Sequence, residues 1–161
     1  MSDNPSFDQI FRSPTLFLAF GFGAGLIKFA PGTFGTIVAI PLWYLMSDVT
    51  PLHYVTFIYV STVVGVFVCD RASRELGVHD HGGIVFDEFV GFWIAMSLVS
   101  PSLQALIIGF ALFRCLDILK PWPISWFDKN ISGGFGIMLD DIVAGIFTAI
   151  LMETISSWGL L

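Results

Sequence analysis

Four short segments hold most of the residue types that could do chemistry. His79-Asp80-His81-Gly-Gly-Ile-Val-Phe-Asp87-Glu88-Phe-Val-Gly91 ends in an acid pair, and Phe113-Arg114-Cys-Leu-Asp117-Ile-Leu-Lys120-Pro-Trp-Pro123 mixes both signs of charge. Gly133-Gly-Phe-Gly-Ile-Met-Leu-Asp140-Asp141-Ile-Val-Ala-Gly145 carries a second acid pair, and Pro31-Gly32-Thr33-Phe34-Gly35-Thr36 is uncharged. Asp87, Glu88, Asp117, Asp140 and Asp141 outnumber Arg114 and Lys120, and all seven border long apolar runs. Each charge placed at the centre of a bilayer costs about 2.5 to 3.5 kcal/mol. An acidic excess in a low-dielectric setting calls for a cation. Oxygen ligands without a usable cysteine favour a hard ion, and Mg2+ is the expected cofactor because it binds through one or two carboxylates together with substrate phosphate.

Helical spacing lets these groups converge. Arg114, Asp117 and Lys120 at i, i+3 and i+6 share one side of a helix. Asp87 and Glu88 are expected in the first turn of one helix, and Asp140 and Asp141 at the start of another. Carboxylates favour helix N-termini, so capping alone accounts for any one of them. Two acid pairs facing a helix end with Arg and Lys are harder to explain that way. Asp48, Arg71, Arg74, Glu75, Lys129 and Glu153 read as ordinary interfacial anchors, since exposed pairs are common and weak. His79 and His81 match no zinc spacing and are most simply loop residues, but with Asp80 they are candidates for proton transfer. The two glycine-bearing segments can offer free N–H groups to a phosphate. They also read as plain turns, and neither ends in the Gly-Lys-Ser/Thr of a P-loop.

The elements that must position these residues are apolar. Of 161 residues 55% are hydrophobic and only 12% charged, with mean hydropathy +0.83, against a charged share of about 25% in soluble domains. Disorder is excluded by the abundance of apolar surface. The net charge of -6 provides no basic surface for nucleic acid. Cys69 and Cys115 sit in apolar stretches and read as packing residues. An acidic start without a basic n-region argues against a removable signal peptide, and residues 1–12 read as a loose or interfacial tail before a single domain, 13–161.

The expected fold class is all-α: a multi-pass helical membrane bundle of about five to six helices, near 14–28, 34–47, 51–70, 84–100, 102–120 and 140–157. The first is expected either to span or to lie along the interface. Alternation then collects Lys28, Arg71, Arg74, Lys120 and Lys129 on one face, which the positive-inside rule makes cytoplasmic. Glycines within the apolar helices permit close packing and are compatible with a homodimer.

A cation site beside Lys and Arg at headgroup depth suits a phosphate ester carried on a lipid. A small cation channel or transporter also expects intramembrane carboxylates, but these charges gather at one face and form no path across. A structural assembly factor leaves the inner acids unexplained.

The four segments resemble the motifs of the phosphatidylglycerophosphatase A family, from about Gly21 to the last helix. The resemblance implies a Mg2+-dependent phosphatase of the bacterial inner membrane, its active site facing the cytoplasm. Such an enzyme converts phosphatidylglycerophosphate to phosphatidylglycerol and phosphate, with the phospholipid and the bilayer as its partners. On that basis Asp87, Glu88, Asp140 and Asp141 are expected to hold metal, and Lys120, Arg114, Thr33 and Gly32 to hold phosphate. Asp117 is expected to orient Arg114 or join the metal, and Asp80, His79 or His81 to handle the proton. No Asp-x-Asp nucleophile is present, so metal-assisted attack by water is expected.

Overall fold

The computed structural model describes residues 5–78 and 80–161, and among them every regular element is helical. The helices are α1 (Phe7–Arg12), α2 (Pro14–Ala19), α3 (Pro31–Met46), α4 (Pro51–Leu76), α5 (Phe86–Ala95), α6 (Leu103–Leu119), α7 (Ile124–Asn130) and α8 (Gly133–Ser157), with a 3-10 stretch at Gly21–Leu26. Several start where the sequence supplies a cap. Ser6 and Gln9 form a reciprocal capping box on α1, Ser13 caps α2 ahead of Pro14, and Ser102 accepts from the Ala105 N–H at 2.9 Å on α6. Gly77, in the left-handed region at φ 67, closes α4.

α5 sits at the centre. Phe86, Phe89, Val90, Gly91, Phe92, Trp93 and Ala95 are all buried, as expected for a helix apolar on every side. α8 packs along it, and the crossing is set by two glycines. A Cβ on Gly145 would collide with the Gly91 carbonyl oxygen, and one on Gly91 would lie 2.7 Å from the Asp141 carbonyl oxygen. This close approach brings Asp141 beside the first turns of α5.

α4, with 26 residues, and α8, with 25, are long and apolar enough to cross a membrane. α4 leaves Leu52, Val55, Tyr59 and Phe67 exposed. The other apolar helices are shorter.

The structure departs from the sequence reading in several places: α4 runs on to Leu76, no expected helix covers α7, and four further differences bear on the site. The stretch 14–28 is not one helix: α2 ends at Ala19, and the chain reverses through Gly21, Phe22 and Gly23, all at positive φ. Hydropathy cannot register this turn, because Gly21 and Phe22 are as apolar as a span; there is no room for a Cβ on Gly21, which would meet Val85 Cγ2 at 2.8 Å. Residues 7–12 of the expected tail form α1, whose Ile10 is fully buried. The helix expected at 84–100 ends at Ala95. The last helix begins at Gly133 rather than 140, because Gly134 and Gly136 pack against the Val66 and Ile131 carbonyl oxygens, where a side chain would not fit. Asp140 and Asp141 therefore lie inside α8 and not at its start, which removes capping as their explanation.

Candidate active site

A pocket of about 180 Å3 opens where the ends of α5, α6, α7 and α8 meet, lined by Asp80, Asp87, Glu88, Asp117, Lys120, Asp128, Asp140 and Asp141 among others. The start of α5 is fixed by its entry loop: the Val85 N–H donates to the Ala19 carbonyl at 2.8 Å and the Ile84 N–H to the His81 carbonyl at 2.7 Å. Asp87 and Glu88 occupy the first turn, with no side-chain cap competing for them, and the Glu88 N–H donates to Asp87 Oδ1 at 3.1 Å.

α6 contributes Arg114 and Asp117 one turn apart, and both are nearly buried. Arg114 Nη1 pairs with Asp117 and lies 3.5 Å from Glu88 Oε1. Its Nε and Nη1 nevertheless lack a well-aligned acceptor, so charge rather than directed hydrogen bonding holds the group there. Lys120 lies just beyond the last residue of α6 in the left-handed region, φ 41, an uncommon conformation for a residue with a Cβ. It turns Nζ to Asp140 Oδ2 at 2.6 Å and to Asp128. Burial pulls the ammonium's pKa down, but the Asp128 and Asp140 carboxylates outweigh it and hold Lys120 above the usual lysine range.

The acids fall into two overlapping groups whose ligand atoms lie within 4.8 Å of one another: Asp87, Glu88 and Asp141, and Asp117, Asp140 and Asp141. Glu88 Oε2 and Asp141 Oδ1 are buried without a hydrogen-bond donor. A buried charged acceptor left unmade costs more than the roughly 1–3 kcal/mol of a neutral one. Carboxylate oxygens lacking donors in an acidic pocket are what a hard divalent cation satisfies, so the residues present fit Mg2+.

The remaining expected residues are placed as follows. Asp80 is exposed and lines the pocket. His81 is buried; its ring lies 5.5 Å from that of Phe20, and its Nδ1 accepts from the Gly83 N–H at 3.0 Å. It shapes the entry loop and is not among the lining residues. His79 lies outside the described residues. Gly32 abuts the Glu88 carboxylate and Arg114, with no room for a Cβ, and so backs the ion pair from behind. Thr33 is half-buried, its N–H donates to the Ala30 carbonyl at 3.0 Å, and it does not line the pocket. Arg71 and Arg74 form i,i+4 pairs with Glu75 and Asp70 at the end of α4, as anchors do. Sequence reasoning missed Asp128. The signal was present: Asp128 is the only acid between Asp117 and Asp140, and α7 folds it back onto Lys120.

The family model for phosphatidylglycerophosphatase A matches residues 17–156. The chain belongs to the phosphatidylglycerophosphatase A family. Its relatives include the phosphatidylglycerophosphatase A of Escherichia coli K12, 49% identical over 138 residues, covering 85% of this chain and 80% of that protein. The Haemophilus influenzae phosphatidylglycerophosphatase A is 40% identical over 163 residues, covering 99% and 100%. A Bacteroides thetaiotaomicron protein, 34% identical over 146 residues and covering 86% and 90%, is named as a phosphatidylinositol-3-phosphatase by proposal only. No solved structure matches the chain. The phosphatidylglycerophosphatase A match contains every acid of the pocket and leaves out α1.

Proposed function

We propose that the chain hydrolyses the terminal phosphate monoester of phosphatidylglycerophosphate, giving phosphatidylglycerol and inorganic phosphate, with Mg2+ as its cofactor. The reading is carried by one observation: a pocket with buried, donor-free carboxylate oxygens next to a lysine held at its rim. The names of the two relatives sharing 49% and 40% identity supply the lipid.

Asp87, Glu88 and Asp141 would hold Mg2+, with Asp117 and Asp140 adjacent. Bound there, the ion would offset charge on the phosphate oxygens and ease deprotonation of the attacking water. Lys120 presents its ammonium to a phosphate oxygen from the rim, and the neighbouring carboxylates keep it charged. Asp117 fixes Arg114, and Arg114 in turn holds Glu88 in register. Arg114 stands behind the acids, outside the lining, so the phosphate contact falls to Lys120. Asp80, exposed and lining the pocket, would relay the proton. The Gly83 N–H donates to His81 Nδ1, which leaves that ring's proton on Nε2 and its Nδ1 unable to donate.

The chain would sit as a multi-pass protein in the bacterial inner membrane with the pocket toward the cytoplasm. Two long apolar helices and the exposed apolar side of α4 support this. So does the gathering of Arg71, Arg74, Lys120 and Lys129 at helix ends on the pocket side. A cation pathway is not supported: both acid pairs and Lys120 gather in one pocket, whereas the pocket between Trp43, Tyr54 and Met96 has no charged lining residue.

The test is phosphate release from phosphatidylglycerophosphate in detergent micelles, with Mg2+ or with chelator, by wild type and Asp87→Asn. Release is expected only from wild type with Mg2+; release that survives both changes removes the metal from the proposal. Cation flux across liposomes with no phosphate release would favour a transporter. Phosphatidylinositol 3-phosphate in the same assay reports how far the headgroup is read, as the Bacteroides relative's name makes relevant.

A further inference from the structure

The two acid groups share one residue. Asp141 belongs to the set with Asp87 and Glu88 and also to the set with Asp117 and Asp140. Its side chain is almost wholly buried, at 3% exposure, and Oδ1 meets no donor. Neither cationic side chain compensates it, because Arg114 is paired with Asp117 and Glu88, and Lys120 with Asp140 and Asp128.

Charge counting points the same way. Setting aside exposed Asp80 and Asp128, five lining carboxylates face the two cationic side chains Arg114 and Lys120. The surplus of three negative charges exceeds the charge of one divalent ion, so a single ion leaves a buried charge uncompensated. The backbone reinforces the placement: the Gly91 and Gly145 contact wedges the Asp141 turn of α8 against α5, so Asp141 faces α5 on one side and the α6 end on the other.

We propose that the pocket holds two divalent cations and that Asp141 bridges them. Asp87 and Glu88 complete one subsite, and Asp117 and Asp140 the other. This rests on the cation-assisted reading above and adds to it the number of ions and the shared ligand.

Mn2+, which takes the same oxygen ligands, gives a readout independent of turnover. Calorimetric titration of the detergent-solubilised full chain is expected to give two Mn2+ per chain, with an electron paramagnetic resonance spectrum showing coupling between them. Asp87→Asn and Asp117→Asn are each expected to retain one uncoupled ion, and Asp141→Asn to weaken both by at least tenfold. One Mn2+ per wild-type chain overturns the proposal, as do two uncoupled ions indifferent to Asp141→Asn. The wild-type stoichiometry decides even if a variant fails to fold. Two coupled ions without phosphate release would sink the phosphatase reading and leave the ion pair standing, whereas one ion with Mg2+-dependent release would do the reverse.

Discussion

The two cationic side chains of the pocket are held in opposite ways. Arg114 is enclosed, with a side chain 11% exposed, between Asp117 and Glu88 and with Gly32 pressed against it. Lys120 is 30% exposed, sits on a left-handed residue just past its helix, and reaches acids on two other helices. The difference separates support from contact. A planar guanidinium suits a buried place between two carboxylates, and a flexible ammonium suits a rim where a ligand arrives and leaves. Of the pair, only the lysine has a surface to offer a phosphate.

The strongest way to break this comparison is Arg114→Ala. It leaves Glu88 and Asp117 facing each other without their cation, so a destabilisation of about 3–5 kcal/mol is expected. Loss of phosphate release should accompany it, read as a lowered thermal midpoint in detergent alongside the activity. If activity falls while the midpoint stays, Arg114 is a phosphate ligand and the division of labour is wrong. Lys120→Ala should show the complementary pattern. Removing one charge-stabilising donor costs about a hundredfold or more in turnover, whereas the midpoint should move little because the lysine is partly solvated. Full activity in Lys120→Ala would dismiss the rim lysine from the reaction.

Gly32→Ala probes the enclosed side from behind. The added methyl would collide with the Glu88 carboxylate and come within 3.0 Å of Arg114 Nη1. Overpacking of that kind costs about 1–3 kcal/mol, and the displaced Glu88 should lower divalent-ion affinity with little change in substrate KM. An unchanged ion affinity would show that Glu88 has slack the packing does not suggest.

These residues also mark what the sequence could disclose. The charged positions and their helical spacing were legible, because each charge is conspicuous against an apolar frame and the i, i+3, i+6 pattern is local. The end of α6 and the first turn of α5 lie where that reading places them. Gly32 was legible only as a candidate phosphate turn; its role as a flat backing for an ion pair depends on α3 meeting α5 and α6, a contact that no local pattern encodes. The same holds for the breaks at Gly21 to Gly23 and for the helical Gly134 and Gly136. Gly134 and Gly136 serve close approach to the Val66 and Ile131 carbonyls inside a helix, where a composition-based reading expects a turn. Gly21 and Gly23, by contrast, make a turn inside a stretch that hydropathy reads as a helix. His81 reads in sequence as a loop residue and a candidate for proton transfer; that a neighbouring N–H and the Phe20 ring hold it inward depends on contacts no local pattern encodes.

Asp128 carries the smallest expected effect and sharpens the comparison most. It contributes one of two carboxylates on the Lys120 ammonium, and both partners are about one-third exposed. Its loss should therefore cost only about 0.2–1 kcal/mol of stability. Because it acts through Lys120, Asp128→Ala should chiefly raise KM, by a few-fold to tenfold, as the lysine swings toward Asp140 and offers less to an incoming phosphate. Asp128→Glu should restore most of that loss, since a longer carboxylate still reaches Nζ. In Lys120→Ala the Asp128 substitution should add nothing further, because the residue through which it acts is gone. A drop in kcat that is additive with Lys120→Ala would instead give Asp128 its own part in the reaction, and α7 would then contribute chemistry as well as orientation.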